Sequence, residues 1–148
     1  MNTERDKVLF EGPAIAYLVV TDVAACRDFW AQTLGFVATV ENSKGNELDF
    51  MLLNASPEST CAERTPLILE YQRYTGLSEP LRRRLRGDER AVVYVWLARG
   101  LEDLRASFEA THPDSVIEVR TAAYGADEVV VSDPHGHVFI FGERHAAP

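Results

Sequence analysis

The sequence predicts an α+β fold built from two βαβββ modules. The order of one strand, one helix and three strands occurs twice along the chain, and the two openings are alike: AYLVVTD precedes a helix that carries Phe29, and VYVWLAR precedes a helix that carries Phe108. A chain of 148 residues has the length of one domain. We therefore expect a single domain over residues 1–148, with module 1 at about 14–74, a connector at about 75–90 and module 2 at about 91–144.

Module 1 begins with the aliphatic run AIAYLVV, which lies between a Gly-Pro and a Thr-Asp dipeptide and predicts a buried strand. Asp22 is a typical N-cap residue, and the apolar residues after it recur at spacings of three and four. This pattern predicts a helix that ends at Gly35. The segments FVATVEN, ELDFMLLN and PLILEYQRY then predict three further strands.

The connector contains Pro80, a run of arginines and Gly87, and it predicts one short helix between the modules. Module 2 then repeats the pattern of module 1. AVVYVWLA predicts a strand, and LEDLRASFEATH predicts a helix with its apolar positions on one face. VIEVR, DEVVVS and HVFIFGE predict three more strands.

Composition narrows the classes of function. A formal net charge of −8 argues against nucleic-acid binding, which requires clustered Lys and Arg. The basic cluster RRRLR is countered by nearby acidic residues, so we expect it to be solvated. No apolar run approaches the roughly 20 residues of a membrane span. The N-terminus lacks the apolar core of a signal peptide, and Cys26 and Cys61 are far apart, so we expect a cytoplasmic protein with reduced thiols.

Four motifs together resemble the vicinal oxygen chelate superfamily, which includes glyoxalase, the bleomycin-resistance proteins and the extradiol dioxygenases. They are VTD at 20–22, FW at 29–30, LGF at 34–36 and DPHGH at 133–137, and they span nearly the whole chain. The resemblance implies paired modules that form a curved mixed sheet around a cup, with the helices outside.

In metal-dependent members of that superfamily, the cup holds a divalent ion on four side chains. The resemblance places these positions at Ile15, Glu70, Val92 or Val93, and Ile140. Only Glu70 can coordinate a metal, because the other positions carry aliphatic side chains. The resemblance therefore implies a branch without metal or other cofactor, closest to the bleomycin-resistance proteins.

The segment DPHGH places two histidines, His135 and His137, beside an aspartate and raises the question of a metal site. Side chains alternate along a strand, so if Ile140 faces the cup, His137 faces the opposite side. His135 occupies the third position of an Asp-Pro-His-Gly sequence, which turn geometry alone explains. We therefore predict that these histidines bind no metal.

Glu70 is the strongest candidate for contact with a ligand. An ionised carboxylate in an apolar cup is costly unless a partner pairs with it, and a cationic ligand could be that partner. Glu70 could equally lie at the rim or pair with an arginine. Strand alternation places Tyr17 on the face of Ile15, and Gln72 on the face of Glu70. The predicted ligand-binding set is Glu70, Tyr17, Gln72, Ile15, Trp30, Trp96 and Ile140.

Three functions are compatible with these residues. The first is a metal-free protein that sequesters a flat, cationic small molecule in a cup or a dimer-interface cleft. The second is a glyoxalase-like or dioxygenase-like enzyme (lyase, isomerase or dioxygenase) in which Glu70 is a metal ligand. The third is a metal-free enzyme in which Glu70 is a general base. We favour the first, and we expect a homodimer that binds neither nucleic acid nor a membrane.

Overall fold

The computed structural model describes residues 15–55 and 67–145; Ala14, the predicted start of module 1, and Cys61 lie outside these ranges. Module 1 contains β1 (Ala16–Val20), α1 (Val23–Leu34), β2 (Val37–Lys44), β3 (Glu47–Asn54) and β4 (Ile68–Arg73). The connector contains a 3-10 turn (Tyr74–Gly76) and the short helix α2 (Glu79–Arg84). Module 2 contains β5 (Val92–Leu97), α3 (Leu101–Thr111), a 3-10 turn (Pro113–Ser115), β6 (Val116–Ala122), β7 (Ala126–Ser132) and β8 (Val138–Arg144). This order confirms the predicted α+β class and the βαβββ repeat.

Each module forms its own four-stranded mixed sheet, with strand order β1-β4-β3-β2 in module 1 and β5-β8-β7-β6 in module 2. The first strand of each module pairs in parallel with the last, and the remaining neighbours pair antiparallel. α1 and α3 each follow the first strand and carry the chain to the opposite edge of the sheet. The first strand of each module is therefore an edge strand.

The signals at the ends of α1 act as the sequence predicts. The Asp22 side chain accepts a hydrogen bond from the Ala25 amide at 3.0 Å, which satisfies one of the free N–H groups of the first turn. Gly35 ends the helix with φ of 70°, a conformation that a residue with a Cβ adopts only with strain. The helix buries the stripe Val23, Cys26, Phe29, Trp30 and Thr33.

One buried core contains side chains from both modules. Trp30 of α1 packs against Phe36 and against Phe139 of β8, with ring centroids 5.3 and 4.8 Å apart. Phe29 of α1 packs against Phe108 of α3 at 5.8 Å. The helices and one face of each sheet therefore enclose the core, and the opposite face of each sheet is called here its open face.

Cys26 lies in the core and the arginine cluster lies at the surface. Cys26 is fully buried and burial raises the pKa of its thiol, so it packs as a small core residue. The arginines of α2 are exposed, as expected for a solvated cluster. Among residues 15–55 and 67–145, no helix has the length and apolar character needed to cross a membrane.

Candidate functional site

The open face of module 1 brings together the residues predicted there. Leu18 of β1 is buried in the core, whereas Ile15 and Tyr17 are 43% and 49% exposed on the other face. Tyr17 lies beside Glu70 in the register of β1 and β4. Gln72 shares this face because it lies two residues further along β4.

Gln72 is held by hydrogen bonds at both ends of its amide. The Tyr17 hydroxyl donates to Gln72 Oε1 at 3.2 Å, and Gln72 Nε2 donates to the backbone carbonyls of Asp49 and Arg73 at 3.1 Å each. Gly76 leaves room for these side chains, because a Cβ at that position would displace the Asp49 carboxylate and the Gln72 amide. The amide is therefore a fixed acceptor that positions the Tyr17 hydroxyl near Glu70.

Glu70 is half-buried between Tyr17 on β1 and Leu52 on β3. Within the described ranges, no hydrogen bond or ion pair joins its carboxylate to another residue. Burial raises the pKa of Tyr17, and the negative charges of Glu70 and Asp49 raise it further, so the Tyr17 hydroxyl is neutral. A carboxylate beside an aromatic ring is a suitable contact for an organic cation.

The open face of module 2 begins at β5. Val92 is 67% exposed, whereas Val93 packs against the core, so Val92 is the residue of this pair that faces away from the helices. Tyr94 and Trp96 follow on the same face, and Ile140 lies beside Tyr94 in the register of β5 and β8. The predicted residues Trp96 and Ile140 are therefore on the open face of module 2.

The sequence analysis did not identify Glu128, which is 1% exposed on β7. The hydroxyls of Tyr94 and Tyr124 both donate to its Oε2, and Arg120 Nε donates to its Oε1 at 2.7 Å. Burial raises the pKa of Glu128, but the hydrogen bonds from Tyr124, Tyr94 and Arg120 outweigh it, so the pKa lies below its ordinary value. Glu128 is therefore an ionised and satisfied carboxylate.

Gly142 makes room for this network. It lies beside Glu128 in the register of β7 and β8, and a Cβ at Gly142 would collide with the Tyr94 hydroxyl. Strand alternation places Glu128 on one face with Val130, which is the only signal for it in the sequence. The alignment of Glu128 with Gly142 depends on a strand register that the sequence does not display.

The structure corrects the prediction for Trp30. Its side chain is fully buried, and its indole N–H donates to the Tyr71 hydroxyl at 2.9 Å. The apolar stripe of α1 directs both Phe29 and Trp30 into the core, so Trp30 cannot contact a ligand on either open face. The inclusion of Trp30 in the ligand-binding set is therefore wrong.

The DPHGH segment forms a turn organised by Asp133. Its Oδ1 accepts hydrogen bonds from the backbone amides of His135, Gly136 and His137 at 3.0, 2.8 and 2.8 Å. Its Oδ2 accepts a hydrogen bond from the hydroxyl of Tyr71 on β4 at 2.8 Å. The turn therefore joins module 2 to module 1.

The two histidines have structural partners. His137 is 3% exposed; its Nδ1 accepts from the Ala91 amide and its Nε2 donates to the Val19 carbonyl, both at 2.9 Å. His135 Nε2 accepts from Arg90 Nη1 at 3.1 Å. Burial and then the positive charge of Arg90 lower the pKa of His135. In the described part of the chain, no three His, Cys, Asp or Glu side chains group as metal ligands would.

Comparison with known proteins identifies the fold. No protein-family model and no curated protein matches the chain. A glyoxalase-related enzyme from Clostridium phytofermentans superposes with a TM-score of 0.70 at 12% identity, over 93% of this chain and 98% of that one. Lactoylglutathione lyase from Agrobacterium tumefaciens gives 0.63 at 14% identity, over 91% and 95% of the two chains.

A bleomycin-binding protein complexed with bleomycin also superposes, with a TM-score of 0.63 at 15% identity, over 91% of this chain and 100% of that one. At these identities the likeness shows the fold. The chain has the fold of glyoxalase-related and bleomycin-resistance proteins.

The divalent metal that this fold implies in some proteins does not fit the residues present. The resemblance gives Ile15, Glu70, Ile140 and either Val92 or Val93, of which Val92 faces away from the core. Glu70 lies half-buried, and the other three side chains are aliphatic and face away from the helices. A single carboxylate cannot supply the three or four donors of a typical protein zinc site.

Proposed function

We propose that the protein binds a small molecule with a cationic or amine-bearing aromatic group, without a metal, at the open face of module 1. The observation that carries this proposal is the half-buried Glu70 carboxylate beside the Tyr17 ring. The neighbours Leu52 and Ile15 are apolar, so a ligand cation in contact with Glu70 is partly shielded from water. The net charge of −8 attracts cations at long range.

The proposal includes a homodimer in which the open face of one module meets an open face of a second copy. Large apolar side chains are exposed on these faces: Ile15, Tyr17, Val92, Tyr94 and Trp96. Within the described ranges, no hydrogen bond, ion pair or aromatic contact joins the two open faces of one chain. A two-fold pair would cover both faces and form a cleft between them.

The oligomeric state tests this part of the proposal. Light scattering at micromolar concentration should give about twice the chain mass of 16.5 kDa. A mass equal to one chain would contradict the homodimer.

The fold accommodates small-molecule binding, because the bleomycin-binding protein complexed with bleomycin shares it. The affinity of a cationic aromatic ligand should depend on Glu70, since a hydrogen bond to a charged group contributes about 1.5–3 kcal/mol. Glu70→Gln keeps the shape of the side chain and removes the charge. This substitution should weaken binding by about 10- to 100-fold.

The experiment is a titration of wild type and Glu70→Gln with naphthalen-2-ylmethylamine and with its neutral counterpart naphthalen-2-ylmethanol. Glu102→Gln is the matched control, because it removes one negative charge from an exposed position on α3. We expect Glu70→Gln alone to abolish the preference for the amine. Equal affinities of wild type and Glu70→Gln for the amine would contradict the proposal.

The same carboxylate favours one alternative, an enzyme. A half-buried carboxylate beside a neutral tyrosine could accept a proton from a bound substrate. A ligand identified by titration and recovered unchanged after incubation with the protein would support binding alone, whereas its conversion would support catalysis. About one divalent metal ion per chain by elemental analysis would favour metal-dependent chemistry and contradict the metal-free proposal.

A further inference from the structure

The open face of module 2 carries a group of side chains to which the proposed function assigns no ligand. Trp96 is 43% exposed, and the Arg144 guanidinium carbon lies 4.0 Å from the centre of its ring. The rings of Tyr94 and Tyr124 lie 4.8 and 6.1 Å from Trp96 between centroids. These four residues, Tyr94, Trp96, Tyr124 and Arg144, are called here the Arg144 cluster.

Arg144 is exposed, and its side chain makes no hydrogen bond or ion pair with any described residue. A guanidinium over an aromatic ring is held by the attraction of the cation to the ring face. Its N–H donors lie in its own plane, so this contact leaves them available to a planar acceptor. The Trp96 contact thus places an unpaired cation on an aromatic surface.

The Glu128 carboxylate makes the surrounding surface rigid without neutralising Arg144. Both tyrosine hydroxyls of the cluster donate to Glu128, which fixes the rings of Tyr94 and Tyr124. The charge of Glu128 is already engaged by Arg120, whose Nε lies 2.7 Å from Glu128 Oε1. The cluster therefore combines ordered aromatic surface with a cation that has no acidic partner among the described residues.

We propose that the Arg144 cluster binds the carboxylate of a planar aromatic acid. The guanidinium pairs with the carboxylate through two parallel hydrogen bonds, and the ligand ring packs against Trp96 and Tyr94. This inference rests on the proposed function only in that the open faces bind small molecules. In the homodimer, a cleft with Glu70 on one side and Arg144 on the other would take an aromatic ligand that carries both an amine and a carboxylate.

The test compares 2-naphthoate with its neutral counterpart 2-naphthamide. Binding is followed by the indole N–H signal of Trp96 in ¹⁵N–¹H spectra, assigned with Trp96→Phe; the buried Trp30 signal is the internal reference. We expect 2-naphthoate to shift the Trp96 signal and to bind at least about tenfold more tightly than the amide. Equal affinities, or a Trp96 signal that does not move, would overturn the proposal.

Arg144→Gln should reduce the affinity for 2-naphthoate to that for the amide. Arg144→Lys should retain only part of the wild-type affinity for 2-naphthoate, because an ammonium lacks the planar pair of donors. The matched control is Arg84→Gln, which removes the same charge from an exposed position on α2 and should change nothing. Undiminished 2-naphthoate binding by a folded Arg144→Gln would also overturn the proposal.

Glu70→Gln separates this inference from the proposed function. The Arg144 cluster is intact in that variant, so its affinity for 2-naphthoate should stay within about twofold of wild type. If Glu70→Gln loses binding of the amine and retains binding of 2-naphthoate, the result supports both the proposed function and the Arg144 cluster. If wild type binds 2-naphthoate but not the amine, the result supports the Arg144 cluster and contradicts the proposed function. If wild type binds the amine but not 2-naphthoate, the result contradicts the Arg144 cluster.

Discussion

The two open faces have the same backbone plan and different side chains at matched positions. Tyr17 and Tyr94 both lie on the first strand of their module, each beside the middle of the last strand. Two residues further along that last strand, module 1 has Gln72 and module 2 has Gly142. The Tyr17 hydroxyl therefore donates to the Gln72 amide on the neighbouring strand β4. The Tyr94 hydroxyl extends across Gly142 on β8 and donates to Glu128 on β7.

This difference decides the role of each carboxylate. Glu128 lies where Tyr94, Tyr124 and Arg120 all reach it, and the protein itself satisfies its charge. Glu70 lies on the neighbouring strand to Tyr17, whose hydroxyl is directed to the Gln72 amide instead. A carboxylate on an open face is structural where its neighbours donate to it, as at Glu128. Where they donate elsewhere, as at Glu70, it is the group that we propose contacts a ligand.

Replacement of Glu128 should destabilise module 2 and give the largest change in the free energy of unfolding. Glu128→Ala removes the carboxylate that accepts from two hydroxyls and from Arg120 Nε, and the free energy of unfolding should fall by about 2–3 kcal/mol. Glu70→Ala, the matched change in module 1, should alter it by no more than about 0.5 kcal/mol. Urea denaturation measures both. An equal loss in the two variants would contradict the contrast between the carboxylates.

A substitution that gives module 2 the glutamine of module 1 should have a smaller effect. Gly142→Gln places a side chain where the Tyr94 hydroxyl lies and offers that hydroxyl an amide in place of Glu128. We expect a loss of about 1.5 kcal/mol, because the Tyr94 ring must move to make room for the new side chain and its charge-assisted hydrogen bond is exchanged for a neutral one. The double variant with Tyr94→Phe should show a non-additive loss, and strict additivity would contradict this explanation.

Tyr94→Phe and Tyr17→Phe, the matched tyrosine variants, should change the free energy of unfolding by smaller amounts. Tyr94→Phe removes a hydrogen bond to a buried carboxylate and should cost about 1 kcal/mol. Tyr17→Phe removes a longer bond from a side chain that is half exposed, and should cost under about 0.5 kcal/mol. Thermal denaturation ranks the two, and the opposite ranking would contradict the comparison.

The pH dependence of stability should also come from module 2. Hydrogen bonds hold the folded pKa of Glu128 below its unfolded value of about 4.3. Its stabilising contribution is therefore complete above that value and is lost as the pH falls through the folded pKa. The stability difference between wild type and Glu128→Gln should shrink between pH 7 and pH 3. A stability difference that grows as the pH falls would contradict the lowered pKa of Glu128.

Local signals predicted the fold well. Asp22 and Gly35 bound α1 because capping and a left-handed terminator act within a few residues. The resemblance gave Ile15 and Glu70, and strand alternation then placed Tyr17 and Gln72 on their face, because alternation depends only on the pleat of one strand. The turn at DPHGH was also predicted correctly, because the preferences of Pro and Gly for turn positions are local.

The residues that the sequence misjudged depend on tertiary packing. Both Phe29 and Trp30 fit an amphipathic helix, and only the packing of α1 shows that neither reaches an open face. Glu128 is satisfied by Tyr94 and Tyr124 through strand register and a turn, which no local pattern encodes. The sequence left the structural role of His137 open, because its partners, the Ala91 amide and the Val19 carbonyl, lie far away in the chain.

One paired measurement tests the central claim that Glu70 serves a ligand and Glu128 serves the fold. The free energy of unfolding and the affinity for naphthalen-2-ylmethylamine are measured for wild type, Glu70→Gln and Glu128→Gln. Glu70→Gln should lose about 10- to 100-fold in affinity and keep its stability, whereas Glu128→Gln should lose stability and keep its affinity. A Glu70→Gln variant that is destabilised as much as Glu128→Gln and still binds the amine as tightly as wild type would contradict the claim.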